Sequence, residues 1–192
     1  MKKVIKVSIL VITIIILLFV FLLLFKYYRW EKDFKRDIDT RYLVSTPYSR
    51  SEELSKKIDL FTLSEQDNEY LELTPYELGG LILETADRYP IDQIYIYPQQ
   101  GIWKIYLKVR YMNIPLWLRV DINKDNMQTA QIYITKVYVG PYSIGQMFSI
   151  TANMNSGITD ALLTVNENGF SGRYLENIEL LNDKVVVKGS KY

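Results

Sequence analysis

Ile102-Trp-Lys-Ile-Tyr-Leu-Lys-Val-Arg-Tyr111, followed by Leu116-Trp-Leu-Arg-Val-Asp-Ile-Asn123, decides the fold of the chain beyond its apolar N-terminus. In the first run Trp103, Ile105, Leu107, Val109 and Tyr111 share one side, with Lys104, Tyr106, Lys108 and Arg110 on the other. In the second, Leu116, Leu118, Val120 and Ile122 form the apolar set. Period-two alternation marks a strand with one buried face, and two such runs around Asn113-Ile114 read as a hairpin. A loop of two or four residues there sets Val109 against Leu118, Leu107 against Val120 and Ile105 against Ile122. A slip of one residue would mix the faces, so burial holds the register.

Outward from this hairpin, Gln93 to Tyr97 reads as a preceding strand that ends in the turn Pro98-Gln-Gln-Gly101. Thr129 to Val139 reads as a fourth strand, stopped by Gly140-Pro141. A last hairpin turns at Asn182-Asp183 and pairs Leu180 with Val185 and Ile178 with Val187. Thr74-Pro75-Tyr76-Glu77 is a capping box with Pro at the first helical position. Leu78, Leu81, Ile82, Thr85 and Tyr89 follow at helical spacing, up to Pro90. Gly79-Gly80 costs this helix about 1 kcal/mol per Gly relative to Ala; the pair marks either a close backbone approach, as by a crossing strand, or a weak turn. Ser143 to about Met154 reads as a helix broken by Asn155-Ser156-Gly157. Ile158 to Val165 is open between helix and strand, with Ile158, Ala161, Leu162 and Val165 favouring helix; Asn166 to Gly172 is a loop. The expected fold is α+β: an antiparallel sheet packed on two or three helices, preceded by one transmembrane helix.

That helix is Val7 to Phe25, nineteen residues with Ser8 and Thr13 the only polar ones. It spans roughly 28 Å, close to the ~30 Å core of a bilayer. Lys2, Lys3 and Lys6 precede it, and Lys26-Tyr-Tyr-Arg-Trp30 supplies rings and cations for the headgroup region. No small-residue cleavage site comes after it, so it reads as an uncleaved signal anchor of a single-pass protein. Five Lys or Arg between Lys26 and Thr40 lean against export of the C-terminal part, but long domains translocate largely regardless of flanking charge. The expected topology places the N-terminus in the cytoplasm and the rest outside it. Tyr27, Trp30, Phe34 and Ile38 continue the helical spacing beyond the membrane, with Glu31 and Lys35 placed for an ion pair. The expected divisions are an anchor over 1–30, a juxtamembrane connector over 31–68 with a short helix from Ser51 to about Phe61, and an extracytoplasmic α+β domain over 69–192.

Composition narrows the chemistry. The chain has 192 residues and a net charge of +1, which gives no support for nucleic-acid binding. It has no Cys and no His, which removes disulfides, thiolate nucleophiles, Ser-His catalysis and imidazole metal sites. Asp121-Ile-Asn-Lys-Asp-Asn126 imitates the start of a calcium loop, but Asn126 and Ile132 stand where Gly and Glu are required. Gly140 to Gly145 has phosphate-loop spacing, but Gln146-Met147 stands where Lys-Ser/Thr is required. Carboxylate pairs such as Glu52-Glu53 and Glu176-Glu179 read as solvated. The expectation is a protein without catalytic residues, cofactor or metal.

Two candidate binding surfaces remain. The outward face of the middle hairpin carries Lys104, Lys108, Arg110, Trp117 and Arg119. The register inferred for the hairpin sets Lys108 opposite Arg119, a repulsion that an anionic ligand would relieve. An apolar ligand could instead be lined by Leu78, Leu81, Ile82, Leu107 and Leu118, where the helix at Pro75 meets the sheet; one common core is the plainer reading.

The N-terminal anchor, Leu73-Thr-Pro-Tyr-Glu-Leu-Gly-Gly-Leu-Ile82, and the late stretch with Val137-Tyr-Val-Gly-Pro-Tyr-Ser-Ile-Gly145 and Tyr174-Leu-Glu-Asn-Ile-Glu-Leu-Leu-Asn-Asp-Lys-Val-Val-Val-Lys-Gly189 resemble the YpmS-type family of anchored bacterial proteins. That family is similar to tubular lipid-binding (TULIP-like) domains. The resemblance implies an extracytoplasmic sheet wrapped on helices that binds a lipid or envelope component, and it supplies no catalytic residue. The expected function is a membrane-tethered, non-enzymatic domain held in the bilayer by residues 7–25 and binding a lipid or envelope polymer. The alternative is a structural subunit that docks a membrane protein partner through the anchor, the Tyr27-Trp30-Phe34-Ile38 stripe or a sheet edge.

Overall fold

The structure, a computed structural model, describes residues 2–86, 89–99, 101–124, 127–168 and 173–191. The chain divides into two compact units, Met1–Ile38 and Asp39–Tyr192.

The first unit is one helix, α1 (Lys2–Asp37), long and apolar enough to span a membrane. Its large apolar side chains from Ile9 to Phe25 are exposed. Thr13 donates its hydroxyl to the Ile9 carbonyl at 2.9 Å, so its polar group is satisfied within the helix. Beyond the apolar stretch, Trp30 stacks on Phe34 with ring centroids 5.1 Å apart. Glu31 and Lys35 form the expected i,i+4 pair at 2.7 Å.

The second unit runs β1 (Leu43–Ser45), α2 (Glu52–Leu63), β2 (Asn68–Leu73), α3 (Pro75–Thr85), β3 (Ile91–Gln99), β4 (Ile102–Tyr111), β5 (Ile114–Asn123), β6 (Tyr133–Val139), β7 (Tyr142–Ser143), α4 (Ile150–Asn168), β8 (Arg173–Leu180) and β9 (Val185–Lys191). The strands form a six-stranded antiparallel sheet in the order β1-β3-β4-β5-β6-β7 and a three-stranded antiparallel sheet in the order β2-β9-β8. The protein is thus α+β, with α3 against β1 and β3, α2 against β2, and α4 against β6 and β8. Near Gly101 and Leu180 the sheets are tied together: Trp103 donates its indole N–H to the Leu181 carbonyl at 2.8 Å, and the Gly101 N–H reaches the Leu180 carbonyl at 2.9 Å.

Of the stretch read as a connector, residues 31–38 fall in the first unit and 39–68 in the second. Val44 on β1 pairs with Ile94 of β3 and is buried, as are Leu54 and Phe61 on α2. A three-residue strand carries too little alternation to be seen in sequence, and β2 starts at the last residue of the stretch read as a connector. The capping box of α3 forms in full, with Glu77 N–H donating to Thr74 Oγ1 and Thr74 N–H donating to Glu77 Oε2. Burial alone would raise the Glu77 carboxyl, but Lys57, 2.7 Å away, and the Thr74 donors outweigh it and hold Glu77 below the usual range.

The close approach read from Gly79-Gly80 is present. A β-carbon on Gly79 would sit 3.1 Å from Val44 Cγ2, and one on Gly80 would sit 2.1 Å from the Tyr48 ring. Strand β1 and the residues after it cross the helix here, and the two glycines make room for them.

The β4–β5 hairpin differs from expectation by two residues. Met112 and Asn113 both adopt positive φ, 47° and 66°, which makes a two-residue turn of the kind that matches strand twist. Leu107 therefore pairs with Leu118, Val109 with Leu116 and Ile105 with Val120. A two-residue slip keeps every side chain on its face, so burial could not distinguish the two registers. At the last hairpin, Leu180–Val185 and Ile178–Val187 pair as expected.

Further expectations fail: Ser143 lies in β7, and the helix read from it starts only at Ile150. β6 begins at Tyr133, not Thr129, and Asn155-Ser156-Gly157 lies inside α4 with no break. The expected loop at Asn166 to Gly172 overlaps the end of α4, and its residues 169–172 lie outside the described ones.

Candidate functional site

The corrected register changes the cationic face. Lys108 lies opposite Trp117, not Arg119; Arg119 lies opposite Tyr106, and Asp121 sits between Lys104 and Lys136 on its two neighbouring strands. The like-charge pair that pointed to an anionic ligand does not exist. Arg110 bonds Asp92 at 2.7 Å. Arg119 approaches Asp121 at 2.9 Å and lies over the Tyr138 ring, 3.7 Å from its centroid. Trp117 is only 1% exposed, and Lys104 lies over the Tyr97 ring. Burial pushes the Tyr106 phenol up, against the opposing pull of Arg119. Charges on this face are largely compensated, as cross-strand pairing favours. Asp121, first residue of the calcium-like stretch, is committed to Arg119; Asp125 and Asn126 lie outside the described residues.

The apolar candidates are used in packing. Leu78, Leu81, Ile82 and Leu107 all lie against the main core, which includes Ile94, Ile96, Trp103 and Ile105. Leu118 sits half-buried on β5, paired with Val139. None of the five lines the groove on the small sheet.

That groove lies on the sheet's outer face. Alternation in β2, β9 and β8 sends Leu71, Leu73, Val185, Val187, Leu175 and Leu180 toward the core, and the register puts Tyr70, Lys188 and Asn177 together on the other side. The C-terminal half of α4, through Thr159, Leu162 and Leu163, and the segment Gln128–Gln131 complete the walls of an open groove of about 610 Å³. The segment is anchored where the Ile178 N–H donates to the Thr129 carbonyl at 3.2 Å. Two tyrosines flank the floor: Tyr70 and Tyr174 are 58% and 46% exposed.

A β-bulge between Leu175 and Asn177 shifts the chain by one residue at the centre of the groove, which re-aims the side chains of β8. Glu176 pairs with Lys188, and that bond holds the carboxyl below and the ammonium above their ordinary values. Both therefore stay charged around neutral pH. Asn177 donates its amide N–H to Glu179 Oε1 at 3.0 Å, while its Oδ1 is buried without a hydrogen-bond partner. The groove thus combines exposed rings with carboxylates, an ammonium and side-chain amides.

Sequence reading missed this face because the strongest alternation lies in another hairpin. The signal was present in weaker form: Tyr70 alternates with Leu71, and Tyr174 with Leu175. No protein-family model matches the chain, and no curated protein or solved structure matches it either.

Proposed function

We propose that this protein is a single-pass, bilayer-tethered binding domain that stands outside the cytoplasm and holds an envelope component in the groove above β8 and β9, without catalysing a reaction. One observation carries this reading: the groove is a shaped, accessible site built by three separate parts of the fold, the small sheet, α4 and the Gln128–Gln131 segment. The orientation rests on the anchor and on the tolerance of translocation for long domains. An acyl lipid is the weaker candidate ligand. The apolar residues proposed to hold it pack into the core, and the groove would leave Glu176, Glu179 and Lys188 facing hydrocarbon.

A photo-crosslinking amino acid at Leu163, an exposed wall residue, tests this in living cells with the full chain. Covalent adducts with envelope material are expected from position 163 and not from position 112, at the exposed tip of the β4–β5 hairpin. Equal adducts at both positions, or none at 163, would sink the proposal.

A further inference from the structure

We infer that the tip of the β4–β5 hairpin inserts into the surface of the bilayer that α1 spans, giving the second unit its own hold on lipid. The inference rests on α1 as the anchor and is independent of what the groove holds.

Arg110-Tyr-Met-Asn-Ile-Pro115 is exposed at every residue, and four of the six are large and apolar or proline. Met112 is 78% exposed, and Tyr111 and Ile114 face each other across the turn, exposed with it. Folding gains nothing from Met112. It sits at a φ of 47°, a conformation that suits Asn or Gly and costs other residues about 1–2 kcal/mol. A turn made for water would be polar; this one spends strain to present an apolar side chain.

The surroundings of the tip fit the boundary between headgroups and hydrocarbon. The Arg110 N–H donates to the Pro90 carbonyl at 2.8 Å, which sets the exposed Tyr89 beside the tip. Tyr89 and Tyr111 thus flank Met112 and Ile114, and a tyrosine offers an apolar ring to lipid and a hydroxyl to water. From Val109 to Leu116 the one charged residue is Arg110, already held by Asp92 at 2.7 Å, so insertion isolates no charge. A partner strand is poorly served here. β6 pairs with β5 only from Leu118, and on that open edge Pro115 offers no N–H.

The bilayer is within reach. From Phe25 to Asp37 the helix rises about 18 Å. The second unit starts at Asp39, whose N–H lies 3.4 Å from the Tyr95 hydroxyl, and Tyr95 pairs with Tyr106. From Tyr106 to the tip is about 20 Å along the strand, which matches the length of the tether.

The chain has no cysteine, so Met112→Cys and Leu163→Cys each take one environment-sensitive dye on the full chain in phosphatidylcholine discs. Spin labels on the lipid acyl chains are expected to quench the dye at 112 and leave that at 163, an exposed position on α4, to iodide. Adding Tyr111→Ser and Ile114→Ser should lower the inserted fraction about tenfold, as loss of two apolar side chains from lipid implies. The melting temperature should hold, since both residues are exposed. Equal quenching at 112 and 163 overturns the inference, as does quenching that the serines leave unchanged. A dye at 112 shielded from iodide but unquenched by lipid also overturns it, in favour of a protein contact. A chain that does not enter the discs overturns the anchor as well; one that enters with no quenching leaves the anchor standing. Photo-adducts at position 112 are then phospholipid, distinct from the envelope material expected at 163.

Discussion

Arg173→Met is expected to destabilise the protein by about 4 kcal/mol, because several backbone carbonyls lose their donor at roughly 1–3 kcal/mol for each one left buried and unpaired. Arg173 is 1% exposed, and its guanidinium is satisfied by backbone carbonyls. It donates to Phe61, to Ser64 at 2.6 Å, to Gln66 at 3.1 Å and to Gly189 at 3.5 Å. These carbonyls gather at the end of α2, where the last helical C=O groups lack partners and the helix dipole favours a cation. The side chain thus closes α2 and fastens it to the small sheet. Phe61 is held from the other side by Gly189, where even a β-carbon would lie 2.6 Å from its ring. Met fills similar volume but answers no carbonyl, so a melting temperature lower by roughly 10 °C is expected. Arg173→Lys should recover only a minority of the loss, because an ammonium lacks the planar fork. Thermal denaturation of the full chain, followed by circular dichroism, decides it; a Met variant within about 1 °C of the parent refutes this role.

The second large effect is expected at Asn155. β7 covers only the far end of β6, which leaves the edge of β6 open at Ile134. Asn155 on α4 fills it by accepting from the Ile134 N–H at 2.7 Å and donating to the Ile134 carbonyl at 2.9 Å. Its amide imitates one rung of a ladder and blocks an edge that could otherwise recruit another chain. Asn155→Leu should cost about 2–4 kcal/mol, since both backbone groups of a buried residue lose their partner. Nearby Gly157 meets no atom within 4 Å of a built β-carbon. Gly157→Ala should therefore stabilise α4 by up to about 1 kcal/mol. Opposite signs two residues apart, read from urea denaturation, are the signature; equal effects would contradict it.

These residues show where sequence reasoning reached its limit. Asn155-Ser156-Gly157 reads as a helix break because Asn and Gly are weak helix formers, yet a tertiary bond from Asn155 to β6 overrides that local preference. Arg173 comes after a stretch read as a loop, and nothing nearby in sequence reveals that its partners on α2 lie more than a hundred residues upstream. Features fixed by neighbours in sequence were legible: the α3 capping box, the Glu31–Lys35 pair, the Asn182-Asp183 hairpin and the long apolar N-terminal helix. The β4–β5 hairpin stood between these cases. Its faces followed from alternation, but its register depended on which residues could take positive φ. That error created the apparent Lys108–Arg119 repulsion. The groove was hidden because it needs β8, α4 and Gln128–Gln131 together, and no one segment announces it.

Hydrogen exchange on the full chain in lipid discs, with and without solubilised envelope polymer, tests the central claim most directly. Slower exchange is expected across Tyr174–Glu179 and Gln128–Gln131, with β3 and β4 unchanged. Slowing confined to Lys104–Arg110, or none anywhere, would contradict the groove as the binding site.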